Sequence, residues 1–198
     1  MPRDTRTITA ADILPPAQYE LIRADKKAEA IARKRLTRIS VGPHGTALFE
    51  NWDSMWLQVQ EMLRIEKGGD EQLVDELAAY DPMVPKGNEL TMTLFFEIAD
   101  PARREVFLRS IGGVEQHVAI EVGGHTIRAR PEGDIERTRA SDNKASAVHF
   151  FHFDFTSEAV AAWRSAEGSA LLMMDHPAYG HAAVIPAEAR AFLARECF

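Results

Sequence analysis

Residues 147–185, AVHFFHFDFTSEAVAAWRSAEGSALLMMDHPAYGHAAVI, contain the pattern that decides the fold. An aromatic run ends at Phe155, a segment capped by Thr156 or Ser157 follows, and two apolar runs flank the turn HPAYG. Aromatic and apolar runs bounded by turn residues are typical of strands, and a capped amphipathic segment is typical of a helix. The stretch therefore predicts a strand, a helix and a two-stranded hairpin, a βαββ unit.

The same order occurs earlier in the chain. ELTMTLFFEIA predicts a strand, DPARREVFLRSIGG a helix capped by Asp100, and EQHVAIEVGGHTIRAR a hairpin that turns at Gly123-Gly124. A polar connection over residues 131–146 precedes the second unit. We expect two βαββ units that pair about a pseudo-twofold axis into one curved, mostly antiparallel sheet. The alternative is that two generic βαββ stretches share their order by chance.

The first 82 residues are predicted to be mainly helical. Helices are expected over about 17–35, over the tryptophan-rich run that ends at Gly68-Gly69, and over 70–79 with Asp70 as N-cap, with a short hairpin over 36–49. The chain is thus predicted to be a single α+β domain, residues 1–198. Its N-terminal helices would pack on a mostly antiparallel sheet built from the two βαββ units of residues 83–198.

The strand at 147–155 divides its side chains between two faces, because successive residues of a strand point in opposite directions. His149, Phe151, Phe153 and Phe155 form an apolar face, which makes His149 a structural residue. Val148, Phe150, His152 and Asp154 form a mixed face. His152 and Asp154 are therefore candidates for a functional site.

A metal site is one interpretation of these residues. His176 and His181 flank the turn of the last hairpin, so their imidazoles lie near one end of the same βαββ unit. Imidazole and carboxylate ligands together suit a divalent first-row metal. The candidate ligands are His152, Asp154, His176 and His181. The alternative is that the turn histidines bind backbone groups only, because no histidine pair has the spacing of a known metal motif.

Charge is distributed unevenly along the chain. Residues 23–38 contain seven Lys or Arg and two Asp or Glu, a net charge of +5, so the rest of the −7 chain carries −12. A basic segment on an acidic body can bind an anion, a protein partner or a second copy of the chain. Nucleic acid is not expected, because no aromatic residues alternate with the basic ones. The alternative is a solvated helix face.

The bulk composition excludes several classes of protein. We find no apolar run of membrane-spanning length and no signal-like apolar core near the start, so a cytoplasmic protein without membrane contact is expected. The single cysteine, Cys197, excludes an internal disulfide and a thiolate cluster. The chain also has neither a Gly-x-Ser-x-Gly elbow nor a P-loop.

The run FENWDSMWLQVQEMLRIEKGG, residues 49–69, resembles the signature of an uncharacterised bacterial family of unknown function. ITAADILP, VGP, DELAAYDPMVPKGNEL, PEGDIERT and HPAYGH extend the resemblance over nearly the whole chain. The resemblance implies genes that often lie beside those of a rubrerythrin-like protein and an iron–sulfur oxidoreductase. It also implies recurrent polar positions at Arg35, Glu50, Gln58, Gln60, Glu61, Arg64 and Glu66.

Two hypotheses of function follow. The first is a non-enzymatic accessory or binding protein of a redox or peroxide-stress module, acting with a protein partner or as a homo-oligomer. Its partner-binding or anion-binding residues would be Arg33, Arg35, Arg38, Gln58, Glu61 and Arg64. The second is a metal-dependent enzyme that uses the histidine and carboxylate set.

Overall fold

The computed structural model describes residues 2–133, 137–139 and 141–198. Its six α-helices are α1 (Pro16–Thr37), α2 (Trp52–Glu66), α3 (Gly69–Tyr80), α4 (Pro101–Ser110), α5 (Ser157–Ser165) and α6 (Ala187–Glu196). Its strands are β1 (Arg38–Val41), β2 (Gly45–Phe49), β3 (Glu89–Phe96), β4 (Val118–Val122), β5 (His125–Arg128), β6 (Arg130–Pro131), β7 (Thr138–Arg139), β8 (Lys144–Ala145), β9 (Val148–Asp154), β10 (Ala170–His176) and β11 (Tyr179–Ile185).

The strands form a five-stranded sheet of order β1-β2-β3-β9-β6 and a four-stranded sheet of order β11-β10-β4-β5. Every described strand pair is antiparallel, which confirms the predicted α+β class. The strands β7 and β8 form a separate two-stranded sheet. The sequence predicted one curved sheet, but the structure divides the strands of the two βαββ stretches between the two larger sheets. The first strands of the two βαββ stretches pair as β3 and β9, whereas their hairpins pair as β4 and β10.

The two sheets are joined by the chain itself and by their facing side chains. Only Ala129 separates β5 in one sheet from β6 in the other, so one extended segment contributes to both. The apolar core between the sheets contains Leu94, Ile120, Phe151 and Leu172. The polar connection predicted over 131–146 contains β6, β7 and β8, while its residues 134–136 and 140 lie outside the described residues.

A second apolar cluster lies on the other face of the five-stranded sheet. Its buried members include Tyr19 of α1 and Met55 and Trp56 of α2, and Phe150 of β9 packs against them. Phe151 and Phe153, the neighbours of Phe150 and His152, belong to the core between the sheets instead. The predicted division of this strand into two faces is therefore confirmed. The helices α1 and α2 lie over the mixed face.

Helix boundaries differ from prediction where α2 meets α3. The helix α2 ends with Lys67 in the left-handed conformation, at φ 55°, and α3 begins at Gly69 with Gly68 as N-cap. Asp70 is therefore inside the first turn of α3. Its carboxylate remains favourable there because the N-terminus of a helix carries partial positive charge. In the part of the chain that the structure describes, no helix is both long and apolar enough to cross a membrane.

Candidate functional site

His152, the first candidate metal ligand, is buried between two carboxylates. Its Nδ1 lies 2.8 Å from an oxygen of Glu89, and its Nε2 contacts an oxygen of Glu132. Burial acts to lower the pKa of His152, but the two carboxylates outweigh it and raise that pKa. Both ring nitrogens are thus engaged by protein groups.

The other three candidate ligands also have protein partners. Asp154 accepts two hydrogen bonds from Arg130, at 3.0 and 3.2 Å, on an exposed edge. The N–H of Ala178 donates to Nδ1 of His176, so the ring proton is on Nε2, which donates to the carbonyl of Gly112. The ring of His181 lies against that of Tyr179, with centroids 4.4 Å apart.

The structure places the four candidates as two pairs on different sheets. His152 and Asp154 lie on β9, whereas His176 and His181 lie on the β10–β11 hairpin. Among residues 2–133, 137–139 and 141–198, no group of three or more His, Cys, Asp or Glu side chains is arranged to hold a metal ion. A metal site built from these four residues stays a prediction, for which elemental analysis of protein purified without chelator is the measurement.

Acidic residues, most of them from other elements, neutralise much of the basic segment. Arg23 binds Glu61, Lys26 binds Glu29, Arg33 binds Asp53 at 3.1 Å, and Arg38 binds Glu97 at 2.7 Å. Lys34 and Arg35 are exposed and form no ion pair within 4.0 Å with any described residue. The local charge of +5 therefore overstates the basic character of the surface.

The polar residues of α2 tie it to the neighbouring helices. Glu61 accepts from the hydroxyl of Tyr19 at 2.7 Å and from two nitrogens of Arg23 at 2.7 and 2.9 Å. The hydrogen bonds from Arg23 lower the pKa of Glu61 to about 2. Arg64 pairs with Glu20 of α1, and the amide of Gln58 contacts Tyr80 of α3. Partner binding by Gln58, Glu61 and Arg64 stays a prediction.

A cleft of about 440 Å³ opens between α1, α2 and the mixed face of the five-stranded sheet. Its volume lies within the range of about 300–1,000 Å³ that is usual for small-molecule sites. The apolar lining includes Ile31, Leu48, Leu57, Phe95, Val148 and Phe150. Lys27 and Lys34, both exposed, also line it, which places cationic groups at its mouth.

Glu50 lies at the base of this cleft, at the junction of β2 and α2. The next residue, Asn51, caps α2 by accepting from the N–H of Ser54 at 2.9 Å. The backbone turn this requires directs the Glu50 side chain inward, where it is 3 % exposed. The Ser54 and Thr93 hydroxyls each donate to one carboxylate oxygen at 2.7 Å.

The Glu50 carboxyl has hydroxyl partners but no cationic one. Burial raises its pKa, against the hydrogen bonds of Ser54 and Thr93 and the more distant charges of Lys34 and Arg33. No described Lys, Arg or His nitrogen lies within 4.0 Å of it. A buried carboxyl without a counter-ion is costly to a fold, and such groups are concentrated at binding and active sites. We take the cleft around Glu50 as the candidate functional site.

Comparisons with known proteins agree on the family and leave its function open. Residues 7–197 match the family described as protein of unknown function (DUF3501). The chain belongs to this family. It is also similar to a crystal structure described as a novel protein of unknown function from Burkholderia pseudomallei K96243, with 33 % sequence identity and a TM-score of 0.87. That match covers 96 % of this chain and 98 % of the other. A search of curated proteins finds no match.

Membership of DUF3501 confirms that the chain belongs to a family of unknown function, as the motifs indicated, whereas the redox gene neighbourhood stays a prediction. Sequence reasoning did not single out Glu50, Ser54, Thr93 or Lys34 as site residues. The available signal was an acidic residue between an apolar strand and a helix cap, LFE-NWDS, at a position that the resemblance marked as recurrent. The spacing of Glu50 and Thr93, 43 residues apart, gives no indication that they meet.

Proposed function

We propose that this DUF3501 protein is a non-enzymatic binding protein that holds a small amphipathic ligand in the cleft between α1, α2 and the five-stranded sheet. The observation that carries the proposal is the combination of a mainly apolar cleft of about 440 Å³ with one buried carboxyl at its base. Apolar walls supply affinity by excluding water, and a few buried polar groups fix the orientation of the ligand.

An accessory role in a redox or peroxide-stress module is part of the proposal. Its support is the family resemblance, together with the state of Cys197. This thiol is fully buried, and burial raises its pKa, so it is not available as a redox nucleophile. Arg35, an exposed basic residue of α1 without an ion pair to a described residue, is the contact that we propose for a protein partner or for a second copy.

The proposal is tested by analysing small molecules bound to protein purified from its native host. Ala30 lines the cleft and is 8 % exposed, so Ala30→Met should fill part of the cleft. Ile31 is 59 % exposed at the cleft, so Ile31→Trp should narrow the cleft without disturbing the core. Mass spectrometry of the denatured wild-type protein should detect a ligand that both variants lack.

Ala24→Met is the matched control, because Ala24 lies on the exposed side of the same helix, outside the cleft. This variant should retain the ligand at the wild-type level. A ligand held equally by Ile31→Trp and the wild type would place binding elsewhere. The proposal would be wrong if no sample contained a ligand while circular dichroism showed that all variants were folded.

A further inference from the structure

We infer that the ligand of the cleft is an amino acid with an apolar side chain, whose ammonium group pairs with Glu50 and whose carboxylate pairs with Lys34. The inference rests on the proposed function, since it names the ligand class of the same cleft. Three features of the cleft support the inference. They are the buried carboxyl of Glu50 without a counter-ion, the exposed ammonium of Lys34 without an ion pair, and the aromatic residues of the sheet that line the cleft.

Glu50 provides the first contact. Its two oxygens accept from Ser54 and Thr93, and a carboxylate has about four acceptor positions, so two remain for a ligand donor. A primary ammonium has three donors and a charge that would compensate the buried carboxylate.

Lys34 provides the second contact. It lines the cleft, and its charge acts on Glu50, although their side chains form no ion pair within 4.0 Å. Arg33, the neighbouring cation of the lining, is held by Asp53 instead. The gap between Lys34 and Glu50 therefore presents one positive and one negative group to the same cleft. A zwitterion complements both, whereas a simple cation or anion would meet one like charge.

The apolar lining provides the third contact. Phe95 and Phe150 of the sheet and Leu57 of α2 face the cleft and remain partly exposed. Contact with an apolar ligand side chain would remove this surface from water, which favours binding. Since aromatic and aliphatic residues both contribute, the class is that of apolar amino acids rather than one member.

The test compares ligands that differ by one charged group, measured by isothermal titration calorimetry on the full chain. L-phenylalanine is compared with phenethylamine, which lacks the carboxylate, and with 3-phenylpropanoate, which lacks the ammonium. L-leucine, 3-methylbutylamine and 4-methylpentanoate form a second, smaller series. Each amino acid should bind about tenfold or more tightly than either analogue, because each analogue lacks one of the two charged contacts.

Two variants assign the contacts. Glu50→Gln should weaken binding of the amino acid and the amine by about tenfold, and it should not weaken binding of the acid, which loses a like charge. Lys34→Met should weaken binding of the amino acid and the acid, and it should not weaken binding of the amine, which loses a like charge. Analogues that bind as tightly as their amino acid would overturn the inference. It would also be overturned if neither L-phenylalanine nor L-leucine bound. If the native ligand is still found in the cleft, only the ligand class is wrong; if no ligand is found either, the proposed binding function fails with it.

Discussion

Glu50 is a charged residue at a position where the fold would favour a neutral one. It is 3 % exposed, and its two hydrogen-bond partners are neutral hydroxyls. Desolvation of an ionised carboxylate is costly, and neutral hydroxyls compensate only part of that cost. A cleft residue that destabilises the fold is expected where ligand binding requires that residue. The destabilisation by Glu50 can be measured without any ligand.

Glu50→Gln should stabilise the protein at alkaline pH. Because burial raises the pKa of the folded carboxyl above its ordinary value of 4.5, the folded protein binds the proton more tightly than the unfolded chain. The contribution of Glu50 to the stability of the wild type therefore falls as the pH rises above about 4.5. The amide does not titrate, so the variant should match the wild type near pH 4 and exceed it by about 1 kcal/mol or more at pH 8. Urea unfolding at both pH values measures this difference.

Glu97→Gln is the matched control, because the pKa of Glu97 is shifted in the opposite direction. The hydroxyl of Thr46 and, less strongly, Arg38 lower the pKa of that carboxyl, so removing its charge should give no gain at pH 8. If Glu50→Gln were less stable than the wild type at both pH values, the cost ascribed to the buried charge would be absent.

The sequence predicted the surroundings of a single residue only where they depend on the local alternation of side chains. Alternation along β9 correctly placed His149 in the core, where its ring stacks on that of Phe151, and His152 on the mixed face. It could not show that Glu89 and Glu132 would flank His152, because these residues lie 63 and 20 positions away in the chain. The ion pair of Arg33 with Asp53 is hidden in the same way, since a charge count over a segment omits partners from other elements.

The strands and helices themselves were largely predictable, whereas the division into two sheets was not. Apolar runs, caps and turns are local signals, and α4, α5, β3, β9 and the two hairpins lie where those signals indicated. Which strands pair is decided by contacts across the fold. A helix between the first strand and the hairpin of each unit lets the hairpin leave the first sheet and pair with the other hairpin.

The side chain of Tyr179 connects the last hairpin, β10–β11, to the first hairpin, β1–β2, by hydrogen bonds. Its hydroxyl accepts from the N–H groups of His44 and Gly45 at 2.9 and 2.8 Å and donates to the carbonyl of Val41 at 2.9 Å. Gly42, at φ +69°, has no room for a side chain, since a Cβ would lie 2.7 Å from that hydroxyl. The turn between β1 and β2 is thus shaped around the end of β11.

Tyr179→Phe should destabilise the protein by about 1–3 kcal/mol, because the buried N–H of Gly45 would lose its partner. Chemical denaturation at neutral pH measures the loss. Tyr80→Phe is the control, since the Tyr80 hydroxyl makes a 3.4 Å contact with Gln58 at an exposed position and its removal should cost less than about 0.5 kcal/mol. Equal losses in the two variants would show that the Tyr179 hydroxyl does not join the hairpins.

The segment that precedes α1 contacts the last residues of the chain through Arg6. The guanidinium of Arg6 donates to the carbonyls of Cys197 at 2.7 Å and Phe198 at 2.9 Å. Phe150, on the sheet, packs against the helical cluster of Tyr19 and Trp56. Contacts of this kind across residue 82 are the physical basis for proposing that residues 1–198 form a single domain, and cooperativity of unfolding is the property that tests it.

The three tryptophans report on the two parts separately. Trp52 and Trp56 lie on α2, and Trp163 lies on α5 in the core between the sheets. Trp163→Phe leaves reporters only in the helical part, and the double variant Trp52→Phe, Trp56→Phe leaves one only in the sheet part. Within each variant, the urea midpoint from fluorescence should coincide with that from far-ultraviolet circular dichroism, because both parts of a single domain unfold together.

A different result is that the fluorescence of the helical part changes at a lower urea concentration than the circular dichroism. It would show that α1, α2 and the cleft wall they form unfold before the sheets. The chain would then consist of two units, and the cleft would lie between them.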